Sequence, residues 1–294
     1  MTDPFDVSDA KPLVTIVIPV FNGADYLAQA IDSALAQTWP ALEILVVNDG
    51  SNDGGATRAI IDGYGSRLKS FDKPNGGVGS ALNYAIERMR GDYFCWLSHD
   101  DLFEPEKTER QLRALAQFGA PAVVFSDWKN MSAKGRVIQS RTAGGEDFAR
   151  FPLWAVLEGR INGCTIMVPR RFFDLCGTFL EDLPTTQDYE LWFRFACRFP
   201  FVHIAEPLVR QRVHIAQGSR ISRHLDEASL LWMDMLDRIP GDVMRDYCGS
   251  ERSFIERTLS FLNRTSYKAA IAGVEQLLAD LAERRSAAPA IPAS

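Results

Sequence analysis

The sequence predicts an α/β protein: a mostly parallel sheet flanked by helices, with a C-terminal helical extension. Three observations predict it. Short apolar runs alternate with helix-patterned stretches across the first 130 residues, the rhythm of a parallel sheet. Those runs end in polar clusters, which is where open α/β sheets bind their ligands. Beyond about residue 222 the pattern is helical to near Arg285.

Val14–Val20 is a β-branched run containing Pro19, and reads as a buried strand. From Ala24 to Gln37 the residues Tyr26, Leu27, Ala30, Ile31, Ala34 and Leu35 recur at helical spacing. Glu43–Val47 is the second strand, closed by Asn48-Asp49-Gly50-Ser51, and Asp53-Gly54 leads into a second helix. A third strand falls near Leu68–Phe71, before the loop Lys73-Pro74-Asn75-Gly76-Gly77 and a helix over Ser80–Met89. Tyr93–Leu97 is a fourth buried strand that runs into Ser98-His99-Asp100-Asp101, and Pro105 suits the first residue of the next helix. Ala122–Phe125 is another strand, Ser132–Gly145 a hairpin with a mobile loop, and Cys164–Val168 a strand. Gln187–Cys197 is an amphipathic helix. The expected organisation is a flexible N-terminus (1–12), a large domain (13–220) in two halves (13–128 and 129–220), a helical extension (221–285) and a disordered tail (286–294).

The formal net charge of −6 and the lack of a long basic run exclude a nucleic-acid partner, which would need a positive stripe against phosphates. Five widely spaced cysteines with no C-x-x-C pair argue against a disulfide framework and a zinc knuckle. A polar start and the lack of any apolar run near the roughly 20 residues of a membrane span predict a cytoplasmic chain. The dense apolar segment Leu230–Leu236 has three candidate partners: its own protein, a twin subunit, or a membrane surface met peripherally. Oligomeric state is not legible.

The chemistry gathers at three strand ends: Phe21-Asn22-Gly23, Asn48-Asp49-Gly50-Ser51 and Ser98-His99-Asp100-Asp101. Asp100 and Asp101 follow a wholly apolar strand, and adjacent carboxylates repel unless a cation or donor compensates. Magnesium or manganese fits, because hard ions take oxygen ligands from one or two carboxylates plus substrate phosphates. The alternative is a cap for the helix near Pro105. Asp49 can serve a base or ribose, or simply form an Asp-Gly-Ser turn. No Walker lysine and no G-x-G-x-x-G occur at a strand-to-helix turn.

The strings Val14-Thr15-Ile16-Val17-Ile18-Pro19-Val20-Phe21-Asn22 and Glu43-Ile44-Leu45-Val46-Val47-Asn48-Asp49-Gly50-Ser51 resemble family 2 glycosyltransferases of the GT-A fold. So do Asn75-Gly76-Gly77 with Asn83, Gly91-Asp92-Tyr93, Leu97-Ser98-His99-Asp100-Asp101 and Gln187-Asp188-Tyr189-Glu190-Leu191-Trp192, over about residues 13–215. The resemblance implies an inverting enzyme that moves a sugar from a nucleoside-diphosphate donor, uridine favoured, to a saccharide or glycolipid hydroxyl. The expected setting is bacterial-type surface polysaccharide or glycoconjugate synthesis. It implies a donor site of Pro19, Phe21, Asn22, Asp49, Ser51, Asn75, Gly76, Gly77, Asn83 and Asp100. A Mn2+ or Mg2+ site of Asp100 and Asp101 follows, and a late Arg…His element brings His214 to the metal or the diphosphate, the alternative being a structural histidine. Asp188 matches the family's catalytic base, with Glu181 and Asp182 as nearby alternates, and Gly163, Gln187 and Trp192 fall on the acceptor side. Two departures stand out: Ser98 occupies the place of the first Asp of D-x-D, and Asn48 replaces a frequent Asp. A nucleotidyltransferase acting on a sugar phosphate and a non-catalytic nucleotide-binding homologue are the competing readings. The first would release pyrophosphate, and the loss at Ser98 supports the second.

Overall fold

A computed structural model describes residues 11–214 and 222–287. The expected behaviour of the chain before residue 11 and after residue 287 lies outside the described residues. The chain divides into two compact units, Met1–Gln217 and Gly218–Ser294. In the first unit the order is β1 (Val14–Val20), α1 (Leu27–Leu35), β2 (Leu42–Asn48), α2 (Ala56–Gly63), β3 (Lys69–Asp72), α3 (Gly77–Ile86) and β4 (Tyr93–Trp96). There follow β5 (Leu102–Phe103), α4 (Lys107–Phe118), β6 (Val123–Ser132), β7 (Val137–Arg141), α5 (Leu153–Leu157), β8 (Val168–Pro169), α6 (Arg171–Cys176), α7 (Gln187–Ala196) and β9 (Phe201–Val213).

The first sheet has the order β3-β2-β1-β4-β8, parallel except for β8. Every residue of β1 is buried, as expected of a strand covered on both faces. Helices close both faces, with Leu27, Ala30, Ile31 and Ala34 of α1 and Ala81, Leu82 and Ala85 of α3 in the core. Chain order reverses between β1 and β4, so the crevice at their carboxyl ends is the topological switch point.

A second sheet, β5-β9-β6-β7, is absent from the sequence reading. β6 continues far beyond Phe125 because its outer half pairs with β7 and β9. β9 carries Pro207, a poor strand residue, but the register shifts at Ser126/Asp127 and Asp127/Trp128 absorb it as a bulge. The strand expected over Cys164–Val168 is instead a 3-10 turn at Gly163–Thr165 followed by β8. Asn162 Oδ1 accepts from the Cys164 amide at 2.9 Å and so diverts the chain into the turn. A short buried apolar run cannot distinguish these outcomes.

The second unit is helical: α8 (Ser222–Asp237), α9 (Gly241–Cys248), α10 (Glu251–Leu262) and α11 (Lys268–Ala287). Its core contains Trp232, Met235, Phe254, Leu262, Ala270 and Val274. The apolar segment of α8 is used inside this unit, with Trp232 stacked on Phe261 at 6.0 Å, while Leu230 is exposed. Ser250 caps α10 by accepting from the Ser253 amide at 3.0 Å. No described helix is long and apolar enough to cross a membrane.

Candidate active site

Pro19 opens the crevice. In β1 the odd-numbered residues bond toward β4, as shown by Leu97 N donating to Val17 O at 2.9 Å. The β1–β4 ladder ends at Val17/Trp96, so the next odd position, Pro19, has no N–H to extend it. Beyond it the chain turns through Asn22, whose φ of +50° is a left-handed conformation that Asn tolerates. The Asn22 amide donates to Ser51 Oγ at 2.9 Å, Asn22 Nδ2 donates to Asn52 Oδ1 and the Asn52 backbone amide donates to Asn22 Oδ1, latching the β1 loop to the β2 loop. Phe21 stands 44% exposed at the rim, where a ring can stack on a planar ligand. A Cβ on Gly23 would lie 2.5 Å from the His99 ring, so the β1 and β4 loops abut. Burial lowers the basicity of His99, and Asp100 offsets this in part.

Asp49 is buried and fully engaged. Lys73 Nζ donates to its Oδ1 at 2.6 Å, and the Gly76 and Gly77 amides donate to the carboxylate, Gly77 at 2.8 Å. Asn75 Nδ2 donates to the Asp49 carbonyl at 2.9 Å. The Gly-rich loop is therefore the N-terminus of α3, three residues earlier than the sequence pattern suggests, with a carboxylate at its positive end. Lys73 is a site residue that sequence reading left as an unremarked loop position. Its ion pair with Asp49 is largely buried, and its Nζ also donates to the Pro74 carbonyl at 2.7 Å.

At the β4 end the two adjacent carboxylates part company. Asp100 Oδ2 lies 2.8 Å from His214 Nε2, at the end of β9. Asp101 is buried, accepting from the Arg212 amide at 2.7 Å. Burial and the Asp100 charge push its carboxyl well above the usual range, against the pull of the Arg212 amide and Cys164. Asp101 thus commits Oδ1 to the backbone of β9, whereas Asp100 and His214, two of the three expected cation ligands, meet side chain to side chain. The reason is the second sheet: β9 brings Arg212 against Asp101 and His214 against Asp100. Arg212 is itself buried, donating Nε to the Asp100 carbonyl, Nη1 to the Ala133 carbonyl and Nη2 to Gln29 Oε1. Ser98, at the departed D-x-D position, is held by the buried Cys164, whose Sγ accepts from its amide and donates to its Oγ, both at 3.3 Å.

A carboxylate oxygen and an imidazole nitrogen converging at one point suit a divalent cation, manganese better than magnesium because of the nitrogen. Among the described residues no group of three or more His, Cys, Asp or Glu gathers.

Asp188 is the second residue of α7, not its cap, and accepts from the Tyr189 amide at 2.9 Å. Tyr189 Oη donates to the Ile161 carbonyl at 2.7 Å and ties α7 to the 3-10 turn. A Cβ on Gly163 would lie 2.5 Å from the Trp96 ring and 3.3 Å from Asp188 Oδ2. The missing side chain thus lets Asp188 approach the end of β4. The turn is fixed from below by Gln111 Nε2 donating to the Thr165 carbonyl at 2.6 Å and buried Lys107 donating to the Ile166 carbonyl at 3.2 Å.

Three of the expected site residues are drawn into the packing. Trp192 is wholly buried between Phe179 and Phe195, and cannot be an acceptor platform. Asn83 spends its carboxamide on the Phe179 backbone and Glu181, so it fastens 179–181 to α3. Gln187 is buried with Cγ against Gly79, its Oε1 unpaired. Glu181, an alternate base, accepts from Asn83 Nδ2 at 3.0 Å.

Residues 15–173 match the profile described as Glycosyl transferase family 2. An uncharacterized glycosyltransferase of Rickettsia felis is 42% identical over 266 residues, covering 88% of this chain and 44% of that protein. The chain thus spans under half the length of that relative. The chondroitin synthase of Pasteurella multocida is 31% identical over 206 residues, covering 69% of this chain and 21% of that one. Among solved structures, S. aureus TarS 1-349 in complex with UDP-GlcNAc matches with a TM-score of 0.61 at 16% identity, covering 93% of this chain and 72% of that one. The mannosyltransferase PcManGT from Pyrobaculum calidifontis, in complex with GDP-Man and Mn2+, gives 0.60 at 16% identity, covering 97% and 83%.

Proposed function

The chain belongs to glycosyl transferase family 2, with the GT-A fold, and we propose that it transfers a sugar from a nucleoside-diphosphate donor to an acceptor hydroxyl with inversion. The observation that carries this reading is the meeting of Asp100 with His214 at the switch point, with Asp188 reaching the same strand end over Gly163. Relatives in polysaccharide synthesis support a saccharide acceptor. A uridine donor is favoured by the UDP-GlcNAc complex of one structural neighbour, although another holds GDP-Man.

Phe21 and the Asp49–Lys73 pair form the base and ribose end of the donor site. Asp100 and His214 would hold a divalent cation, whose chemistry when bound is to neutralise charge gathering on the departing diphosphate. Asp188 orients the acceptor hydroxyl and takes its proton as the oxygen attacks the anomeric carbon in line. With the leaving group so neutralised no general acid is needed, unlike a glycoside hydrolase with two opposed carboxyls.

The test is to incubate the protein with a panel of nucleotide sugars, manganese and saccharide acceptors. The expected products are free nucleoside diphosphate and a glycoside whose anomeric configuration is opposite to the donor's. Pyrophosphate release from a nucleoside triphosphate would instead establish a nucleotidyltransferase.

A further inference from the structure

The β6–β7 hairpin is outside the site just described and is locally basic. Between Asp127 and Glu146 the chain carries Lys129, Lys134, Arg136 and Arg141 and no acidic residue. Lys129 is paired with Glu104 at 3.3 Å. Lys134, Arg136 and Arg141 are exposed, and among the described residues none has a carboxylate within ion-pair distance. The whole of β7 is exposed, and Val137 and Ile138 beside Arg136 are 45% and 54% exposed. The register with β6 shifts between Asn130 and Met131, so Val137 and Ile138 sit at a bulge of this edge strand as an adjacent exposed apolar pair between Arg136 and Arg141.

We propose that this hairpin is a docking surface for an anionic lipid membrane. Unpaired cations are complementary to acidic headgroups, and adjacent aliphatic side chains gain from burial at the headgroup–acyl boundary. A soluble polyanion would use the cations but have no use for Val137 and Ile138. The chain's net charge of −6 repels an anionic surface, so contact needs a segment that is locally basic and exposed, as this hairpin is. The hairpin turn is also tied to the candidate site: the Ala133 carbonyl accepts from Arg212, whose amide holds Asp101. Docking here therefore brings the lipid surface to the element that braces the carboxylate turn. The inference rests on the hairpin alone and stands whether or not glycosyl transfer is the reaction.

The experiment is co-sedimentation of the full chain with vesicles of phosphatidylcholine, with and without phosphatidylglycerol. The protein should bind only the anionic vesicles, and should be released by molar salt, where the Debye length falls to about 3 Å. The combined Lys134→Glu, Arg136→Glu, Arg141→Glu variant should bind on the order of a hundredfold more weakly. A separate Val137→Asp, Ile138→Asp variant should also bind more weakly. All five positions are exposed, so both variants should keep the wild-type melting temperature. Wild-type protein left in the supernatant with anionic vesicles would overturn the proposal, as would undiminished binding by the charge-reversal variant. If soluble polyphosphate competes fully and the Val137/Ile138 variant binds like wild type, the hairpin is a polyanion site and the membrane assignment is wrong.

Discussion

The two ends of the parallel sheet handle buried charge in opposite ways. At the amino end Glu43 accepts from Thr15 Oγ1 at 2.9 Å, from the Arg90 amide and guanidinium at 2.8 Å each, and from Lys69 at 3.1 Å. Burial alone would push this carboxyl up, but the bonds from Arg90, Thr15 and Lys69 bring it down to about 2. A Cβ on Gly91 would strike the Thr15 backbone and hydroxyl, so the whole corner is closed. At the carboxyl end Asp49 has Lys73, but Asp101 is held mainly by a backbone amide and repelled by Asp100. One end resolves its charge within the protein. The other accumulates acid where a cation and an acceptor can use it, as expected where function works against stability.

The sharpest way to break this contrast is Asp188→Asn. If the carboxyl end is chemical, turnover should fall by about 10²–10⁴-fold while folding and donor affinity persist. A structural role predicts near-normal turnover by the folded fraction, measured against the melting temperature of the same variant.

Glu43→Gln should have the reverse profile, costing about 2–3 kcal/mol of stability with turnover per folded molecule unchanged. The pH dependence follows from the depressed carboxyl. Its stabilisation is complete above the ordinary value of 4.5 and is lost as pH falls through about 2. Denaturant titrations should therefore show the gap between wild type and variant closing across that window. A constant gap would mean that the Arg90 and Lys69 bonds contribute nothing as an ion pair.

Asp49→Ala probes a residue with both characters, since its carboxylate anchors the α3 N-terminus. Donor affinity by calorimetry should drop roughly 10–100-fold, with turnover at saturating donor close to wild type. Unchanged affinity would reduce Asp49 to a loop anchor.

The smallest effect is expected at Asp101→Asn. The amide can still accept from Arg212 and carries no charge to bury beside Asp100. Melting should be unchanged or raised by the equivalent of about 1 kcal/mol. If this variant loses cation binding as completely as Asp100→Asn, Asp101 is a ligand and the contrast between the adjacent carboxylates fails.

The first sheet was legible because its strands are apolar runs closed by polar clusters, a pattern set by burial on both faces. The second sheet was not, because β9 mixes Pro207, Arg210 and Arg212 into a half-exposed strand whose partner lies some 80 residues earlier. That omission bears directly on the site. Without β9 nothing separates Asp100 from Asp101, and the adjacent acids look equivalent. Trp192 shows the converse: an aromatic one turn from Asp188 is compatible with a platform or a core, and only packing against Phe179 and Phe195 decides. Lys73 carried no periodic or motif signal, and its place beside Asp49 follows from the parallel pairing of β2 with β3.

The central claim is that Asp100 and His214 form, with a divalent cation, the diphosphate end of a donor site. It is tested most directly by titrating UDP and GDP into the protein by calorimetry, with manganese and then with excess chelator. The account predicts that one nucleoside diphosphate binds with manganese, and that chelation, Asp100→Asn and His214→Ala each weaken it at least about tenfold. Equal affinity in chelator and in both variants would contradict it.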